Sequence, residues 1–445
     1  HAGGQGEDSE QPNYDNHEAP DRKRPYWNNT RRTCVAVSVS LDRRTRTAKE
    51  NLLYHVEYVP KGEKFQFEIT GDNIEKDDAC KFLDLLASLK QLGAETSNGW
   101  GRVEVKLDSV HYLDAEGLEN WKKKPVAFGS KDPLPDYFKT LDFSATAAAT
   151  SPDVLEIELE LAMESPWLVR DPRQRERSDP ALTRDLNESD KPKDAVPIHD
   201  EEGKPFVPAK SLRGALRSRA EMILRTLDFD IKDHPGDIDP VSTKGKGVDV
   251  VIEKIRKMTD LAAKLFGFGG WKAPVRVPRL KWQGEFKPAT PNDPGDEPSQ
   301  EFVAIDRFTG GAAEGAKFNA QLAGMTQLKG MTQLKGMTQL KGTLTIDLKR
   351  LRLVELEEPD APDAAQQPLP SLGLLALVLR DLADGDIPLG SGSAKGQGFC
   401  TATVQWNGVA LKDADLAGHL QAFRMKSPGN GSPAAQTGQQ EQAGV

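Results

Sequence analysis

The chain carries two copies of the same pair of sequence blocks, in the same order. The first block, VSLDRRTRTAKENLLY from Val39, matches VAIDRFTGGAAEGAKF from Val303. The second block, LGAETSNGWGRV from Leu92, matches LGSGSAKGQGFC from Leu389, and an apolar segment precedes it in both copies. Matched positions are 264 residues apart in the first block and 297 in the second. This repetition predicts a duplicated domain, so the fold must accommodate two units of similar design.

The two copies are not equally complete. No segment before Thr33 resembles Leu155–Arg225, so the first copy is predicted to be the C-terminal part of a domain whose N-terminal part is missing. The second copy is predicted to be whole, with the repeat GMTQLKGMTQLKGMTQLKG as an inserted loop or hairpin extension. The predicted divisions are a disordered or linker segment 1–32, a partial domain 33–123, a linker 124–150, a complete domain 151–410 with the insertion 324–342, and a tail 411–445.

The charge of the chain is distributed unevenly. Its formal net charge is −9, yet Phe206–Arg225 holds five basic residues against one acid. Local charge decides which partners a surface attracts, so an anionic ligand remains possible at that segment. The three cysteines lie far apart and form no metal-ligand pair, and no apolar run is long enough to cross a membrane. These features predict a cytoplasmic protein without a membrane partner.

The basic segment FVPAKSLRGALRSRAEMILR predicts a helix over 210–227. Its helical spacing predicts a buried stripe of Leu212, Leu216, Ala220, Ile223 and Leu227. Ser211 is predicted to cap the helix. A helix start with free N–H groups and cationic side chains is suited to a phosphate, so the predicted RNA contacts here are Lys210, Ser211, Arg213 and Arg217. The alternative is an arginine-rich face in contact with solvent.

A glycine-rich loop, GSGSAKGQGF, follows the apolar helical segment of the second copy. It is no Walker loop, and a strand (Cys400–Trp406) rather than a helix is predicted after it, which excludes a dinucleotide fingerprint. Glycines allow a backbone to approach a ligand closely, although a tight turn would also explain them. The predicted RNA contacts are Gly390, Gly392, Ser393, Lys395, Gly396 and Gly398, with Gly93, Gly99 and Gly101 as their counterparts in the first copy.

Acidic residues lie among arginines in the loop that follows the predicted strand Val154–Met163. They are Asp171, Asp179 and Asp185. Such acids usually form surface ion pairs, but an acid in this setting can also act as a general base or bind a metal-bound water beside RNA phosphates. The spacing alone leaves both roles open.

Taken together, these motifs resemble the RAMP superfamily of CRISPR-associated proteins, most closely the backbone subunits of type III effector complexes. The resemblance is carried by FVPAKSLRGALRSRAE, FVAIDRFTGGAAEGAKF and LGSGSAKGQGF, and the first copy repeats the last two. It implies an α+β fold with ferredoxin-like (RRM-like) βαββαβ cores, one partial and one complete, and inserted thumb or loop segments. Two units in one chain are similar to the fused variants of type III-D systems.

The resemblance also implies a function. The chain would bind CRISPR RNA, pair it with target RNA and cleave that target, with Asp171 as catalytic residue and ligand of Mg²⁺ or Mn²⁺. Arg43 and Arg307, in the matched blocks, are predicted RNA contacts. The implied partners are CRISPR RNA, target RNA, other RAMP-type subunits and a large subunit. A non-catalytic RNA-binding scaffold is one alternative; a metal-independent guide-processing endoribonuclease, with His199 as its candidate base, is another.

Overall fold

A computed structural model places two unequal units along the chain. It describes residues 27–28, 33–41, 48–59, 62–123, 138–141, 153–171, 193–200, 202–231, 248–287, 299–328, 331–334, 338–407, 409–410 and 413–426. In these ranges helices and several small antiparallel sheets mix, which is an α+β architecture. No helix of the described residues is long and apolar enough to pass through a bilayer.

The elements of the first unit are few and short. Its strands are β1 (Trp27–Asn28), β2 (Thr33–Leu41), β3 (Ala48–Tyr58), β4 (His111–Tyr112) and β5 (Lys139–Thr140), and its helices are α1 (Lys76–Ala87) and α2 (Ala115–Lys123). Strands β1, β2 and β3 form one sheet, and β4 pairs with β5. Strand β1 lies in the stretch predicted as disordered or linker, and β5 lies in the predicted linker. Each of these two segments therefore contains a short strand that was not predicted from the sequence.

The second unit contains the main sheet. Its strands are β6 (Val154–Met163), β7 (Phe206–Val207), β8 (Val275–Arg276), β9 (Leu280–Trp282), β10 (Ser299–Ile305), β11 (Ala312–Gln321), β12 (Met325–Leu328), β13 (Met331–Leu334), β14 (Thr338–Asp347), β15 (Cys400–Trp406) and β16 (Val409–Ala410). The strand order of the main sheet is β16-β15-β6-β14-β9-β7, and β8 also pairs with β14. Every pairing in it is antiparallel. Strand β6 lies between β14 and β15, and its alternating sequence buries Ile157 and Leu159 while Glu158 points away from the core.

The helices of the second unit pack against this sheet and against one another. They are α3 (Ala209–Thr226), α4 (Val248–Lys257), α5 (Leu261–Phe266), α6 (Leu348–Glu355), α7 (Pro370–Ala383) and α8 (Asp413–Lys426). Leu212 and Leu216 of α3 and Leu375 and Leu379 of α7 are fully buried in one core with the leucines of β6. This single large core is what fixes the loops at the sheet edge in space.

Helix α8 corrects the predicted tail. Residues 411–445 were predicted to lie outside the domain, yet Phe423 of α8 is buried and stacks on Phe229 at 5.7 Å between ring centroids. Nδ1 of His419 accepts a 2.9 Å hydrogen bond from the backbone N–H of Leu369. The folded unit therefore extends to Lys426, because α8 packs against α7 and buries Leu416 and Phe423.

The repeated hexapeptides form a hairpin and then enter the sheet. Strands β12 and β13 come from the first two repeats and pair with Leu328 opposite Met331. Strand β14 begins at Thr338 inside the third repeat and continues antiparallel to β6. The insertion thus lengthens a connection that leads into a central strand.

The β2–β3 and β10–β11 hairpins have the same strand register. Val39 pairs with Leu53 in the first, and Val303 pairs with Lys317 in the second, at the 264-residue separation read from the sequence. Both ladders change register after that pair, at the same relative place. A repeated irregularity is strong evidence that the two hairpins are copies of one design.

Candidate functional site

The two glycine loops have the same backbone conformation. Each contains one 3₁₀ turn, Thr96–Asn98 in the first copy and Ser393–Lys395 in the second. The N–H of Leu92 donates to the carbonyl of Gly101 at 2.7 Å, and the equivalent bond between Leu389 and Gly398 is 2.8 Å. The loop is therefore a defined structure in both copies, held by the same hydrogen bonds.

Glycine is required at the last position of each loop. Gly101 and Gly398 have φ of 69° and 78°, in the left-handed region. A Cβ on Gly101 would lie 2.0 Å from the carbonyl oxygen of Leu92, and one on Gly398 would lie 2.1 Å from that of Leu389. These glycines close the loop against its own base, so their conservation between the copies has a structural cause.

The first glycine loop is covered by the start of helix α3. Oδ1 of Asn98 accepts a 3.0 Å hydrogen bond from Arg213, and the position of a Cβ on Gly99 would be 3.1 Å from Cβ of Ala209. The carbonyl of Ser97 accepts from the N–H of Val277 at 3.3 Å. The helix start and this loop thus form a contact between the two units.

Lys210 belongs to the same contact. Its Nζ donates to Oγ of Ser38 at 3.1 Å and to Oη of Tyr54 at 3.0 Å, and Oε2 of Glu95 lies 3.9 Å away. Glu95 of the same chain therefore supplies part of the negative charge that was expected at this helix start. The contact of Lys210 with RNA stays a prediction.

Arg213 and Arg217 also face protein groups. Arg213 donates to the carbonyl of Phe266 as well as to Asn98, and Arg217 donates to the carbonyl of Gly267 at 2.7 Å. Arg217 further pairs with Glu221 at 2.8 Å. These carbonyls end the short helix α5, where the partial negative charge of a helix C-terminus favours a cation. The arginines therefore join α3 to α5, a role that the spacing of the sequence did not indicate.

Two details of the predicted helix were wrong. Pro208 rather than Ser211 is the N-cap, and no side chain caps the helix; Ser211 lies in the first turn with its N–H bonded to the carbonyl of Pro208 at 3.0 Å. The buried stripe includes Leu224, whereas Leu227 is 38% exposed. The buried residues of the stripe recur at every fourth position. The helix ends before Leu227, so this residue is not part of the stripe.

The second glycine loop lies at the far end of strand β6, against the segment that follows this strand. Ser391 donates to the carbonyl of Leu168 at 2.8 Å through its N–H, and Gly398 donates to that of Pro166 at 2.9 Å. A Cβ on Gly396 would meet nothing within 4 Å, and Ala394, Lys395 and Gly396 are exposed, whereas Gly392 is half-buried. This loop is accessible, in contrast to its counterpart in the first copy.

Lys395 adds a positive charge to the accessible loop. Its Nζ lies 4.4 Å from the ring centroid of Phe302 and 4.8 Å from that of Phe318, which face each other across the β10–β11 hairpin. The equivalent cross-strand pair of the first hairpin is Ser38 and Tyr54, the two residues that contact Lys210. Each hairpin thus receives one lysine, from the neighbouring helix in the first copy and from its own loop in the second.

Asp171 lies on the segment that contacts the second glycine loop. Its N–H donates to the carbonyl of Val196 at 2.9 Å, and its exposure is 8%. Asp171 lies three residues after Leu168, whose carbonyl accepts from Ser391 of the second glycine loop. Most of the surface of Asp171 is covered.

The tip of the β10–β11 hairpin is fully open. Oδ1 of Asp306 accepts from the N–H groups of Phe308 and Thr309 at 2.7 and 2.9 Å, and these bonds lower the pKa of its carboxyl. Arg307 and Phe308 are exposed at this turn. An ordered turn therefore presents a cation and an aromatic ring, a pair able to contact a phosphate and a base.

The remaining predicted residues are placed as follows. Arg43, Asp179 and Asp185 lie outside the described residues. His199 is half-buried, with its ring 6.3 Å from that of Phe286. Within the described ranges, no three or more His, Cys, Asp or Glu side chains are grouped to hold a metal ion. The role of Asp171 as a ligand of Mg²⁺ or Mn²⁺ stays a prediction.

Comparison with known proteins agrees with the two-unit organisation. The family model of the RAMP superfamily matches residues 27–104 and 160–401, which is most of the chain. The matched regions include both glycine loops and both hairpins. No curated protein matches the sequence.

Proposed function

This chain belongs to the RAMP superfamily, and from that premise we propose that it is a CRISPR RNA-binding backbone subunit of a type III effector complex. The superfamily match supports a CRISPR-associated, RNA-binding role. In the proposed arrangement the guide RNA is held by its backbone and pairs with target RNA, so the protein needs no base-specific contacts. Other RAMP-type subunits and a large subunit are its proposed protein partners.

The observation that carries this proposal is the difference between the two glycine loops. The first loop is covered by the start of α3 and offers acceptors, Glu95 and Asn98, to basic side chains. The second loop is exposed, and Lys395 stands where the first has Asn98. The N–H groups of Lys395 and Gly396 donate within the loop, so the exposed lysine is the group that suits a phosphate here. We therefore place the RNA contact of this chain at Gly392–Gly396.

The second unit is proposed to have a ferredoxin-like core. Its order of main elements is β6, α3, β9, β14, α7 and β15, and the sheet order β15-β6-β14-β9 with antiparallel neighbours supports that assignment. The β10–β11 hairpin is proposed as the thumb, since its exposed tip carries Arg307 and Phe308. Two units in one chain support the fused, type III-D-like form.

RNA recovery tests the proposal directly. The chain is expressed with its effector complex, and nucleic acid that co-purifies is digested with RNase or DNase and sized. We expect RNA of defined length whose recovery falls when Gly396 and Lys395 are replaced together by Asp. The matched variant Glu253→Lys on the surface of α4 should leave recovery unchanged. Recovery of DNA, or equal RNA recovery from both variants, would contradict the assignment.

Cleavage of target RNA is a second candidate function, favoured by the place of Asp171 on the segment whose Leu168 carbonyl accepts from Ser391 of the second loop. A carboxylate there could accept the proton of a ribose 2′-OH as that oxygen attacks the adjacent phosphate. The bond from phosphorus to the 5′-oxygen of the next nucleotide would then break, with that oxygen taking a proton from water and a 2′,3′-cyclic phosphate left behind. The test incubates the complex with complementary RNA, with and without Mg²⁺ or EDTA, for wild type and Asp171→Asn. Loss of cuts with retained RNA binding supports cleavage by Asp171. Unchanged cuts assign the chemistry elsewhere, and no cuts in the wild type leave the scaffold function.

A further inference from the structure

Two stacked phenylalanine rings, Phe302 and Phe318, lie next to the second glycine loop and are called the aromatic pair below. They are directly opposite each other across the β10–β11 hairpin, and their ring centroids are 5.1 Å apart. Nζ of Lys395 lies over both rings, 4.4 and 4.8 Å from their centroids. A cation within about 6 Å of a ring centroid is attracted by the negative face of the ring. The lysine of the loop is therefore held by two rings of the hairpin.

The aromatic pair and the loop share one support. Phe302 is half-buried and packs against a small core cluster of Leu168, Ala195, Ala320 and Leu322. The carbonyl of Leu168 accepts two hydrogen bonds from Ser391 of the loop, one from its N–H at 2.8 Å and one from its hydroxyl at 3.1 Å. The position of the Lys395 ammonium relative to the rings is therefore set by packed protein on both sides of the contact.

The same place in the first copy holds a lysine whose donors are met within the protein. Ser38 and Tyr54 occupy the positions of the aromatic pair, and Nζ of Lys210 lies 5.1 Å from the centroid of the Tyr54 ring. Both hydroxyls accept a hydrogen bond from this ammonium. Its charge also faces the carboxylate of Glu95 at 3.9 Å. The first copy therefore satisfies its lysine with oxygen acceptors of its own.

The second copy has none of these oxygen acceptors at the equivalent positions. Phenylalanine carries no hydroxyl, and Gly392 stands at the loop position of Glu95. Among the residues that the structure describes, no carboxylate pairs with Lys395, and this side chain is exposed. An ammonium has three N–H donors, and a ring attracts its charge without supplying an oxygen acceptor. The second copy thus holds its lysine in place while the N–H groups stay accessible to an acceptor from another molecule.

We infer that Phe302 and Phe318 are positioning residues for the contact between Lys395 and an RNA phosphate, an inference that rests on the function proposed above. The rings hold the ammonium in place before RNA arrives, and a phosphate oxygen accepts from the N–H groups that point away from the rings. A lysine side chain loses conformational freedom when a ligand immobilises it. A lysine that is already held by the aromatic pair loses less of that freedom, so its contribution to RNA affinity is larger.

A double-mutant cycle between Phe318 and Lys395 tests this inference. The affinity of the full chain for a fluorescent single-stranded RNA is measured by anisotropy for wild type, Phe318→Leu, Lys395→Ala and the double variant. Phe318 is 38% exposed, so leucine should not unfold the hairpin. We expect Phe318→Leu to weaken binding about 2- to 5-fold, the size of an exposed cation–π contact, and to have no effect once Lys395 is alanine. Phe318→Trp keeps a ring face and should bind RNA like the wild type.

The matched control is Val303→Ala, on the opposite face of the same hairpin, which should leave the affinity unchanged with either residue at position 395. If Lys395→Ala weakens binding but Phe318→Leu has no effect, or has the same effect with lysine and with alanine at position 395, the RNA contact stands and positioning by the rings is excluded. Tighter binding by Phe318→Leu would exclude it too, because the lysine would then have to leave the rings to reach RNA. If Lys395→Ala leaves the affinity unchanged, the RNA contact at this loop and the positioning role are both wrong.

Discussion

The guanidinium of Arg213 donates a 3.0 Å hydrogen bond to Oδ1 of Asn98, and this bond joins the two units of the chain. Arg213 lies in the first turns of α3, and Asn98 is a buried residue of the first glycine loop. The same guanidinium also donates to the carbonyl of Phe266. One side chain therefore connects a loop of the partial unit, a helix of the complete unit and the end of a second helix.

Replacing Arg213 by alanine should destabilise the protein. The substitution leaves the Asn98 amide oxygen and the Phe266 carbonyl without this donor, and losing a partner for partly buried polar groups costs about 1–3 kcal/mol. Urea unfolding followed by tryptophan fluorescence measures the change. Arg307→Ala, at the exposed tip of the hairpin, should change stability by no more than about 0.5 kcal/mol. Equal effects of the two substitutions would show that the link between the units contributes nothing.

The local elements of the second unit could be predicted from the sequence. The strands Val154–Met163 and Cys400–Trp406 have the predicted bounds, and the helix predicted over 210–227 runs from Ala209 to Thr226. Alternation with period two, a proline before the helix and apolar residues at helical spacing are local signals, and they were sufficient here.

What covers each element could not be predicted in the same way. Lys210 and Arg213 have the charge and position of phosphate ligands, yet their partners come from Ser38, Tyr54 and Asn98, more than 100 residues away along the chain. A pattern within one segment predicts which side chains share a face. It does not predict which distant part of the chain packs against that face. The repeated glycine motifs likewise predicted two loops of one design. Only the structure showed that the first loop is covered and that the second is exposed.

The glycines of the second loop should differ in their tolerance of alanine. Gly396 and Gly398 have nearly equal φ, 79° and 78°. An alanine at either position would therefore cost the same left-handed strain of about 1–2 kcal/mol. Only at Gly398 would the new Cβ meet the carbonyl oxygen of Leu389, at 2.1 Å. We expect Gly398→Ala to lower the free energy of unfolding by at least about 1 kcal/mol more than Gly396→Ala, because the overpacked backbone must shift. Equal unfolding midpoints would contradict the tight closure of the loop.

Lys395 should contribute to RNA affinity in a manner that depends on salt. A lysine that neutralises one phosphate of a single strand contributes about 0.7 to the slope of log K against log salt concentration. Lys395→Ala should therefore reduce the slope by about that amount and weaken binding equally for RNAs of different sequence. Fluorescence anisotropy at several salt concentrations gives the slope. Lys257→Ala, on exposed helix α4, is the matched control and should leave both quantities unchanged.

A buried lysine should make stability depend on pH. Lys264 is 5% exposed, its Nζ donates to the carbonyl of Arg256 at 2.9 Å, and burial lowers the pKa of its amine to about 8 from 10.5. Among the charged groups around it, Glu355 and Asp260 favour the protonated amine. Arg256 and Lys426 oppose it. Burial also raises the pKa of the Glu355 carboxyl, although Ser371 donates to it and opposes that shift.

Since the pKa of Lys264 is lower in the folded state, the unfolded chain binds more protons between pH 8 and 10.5. The penalty of burying this cation is therefore complete below pH 8 and is relieved as the pH rises towards 10.5, so the free energy of unfolding increases by about 3 kcal/mol over that range from this group alone. Urea unfolding of wild type and Lys264→Met at pH 7 and pH 10.5 isolates the effect. The wild type should gain about 3 kcal/mol relative to the variant, whereas the exposed-site variant Lys257→Met should show a much smaller relative change. A constant difference between wild type and Lys264→Met would mean that Lys264 keeps an ordinary pKa in the fold.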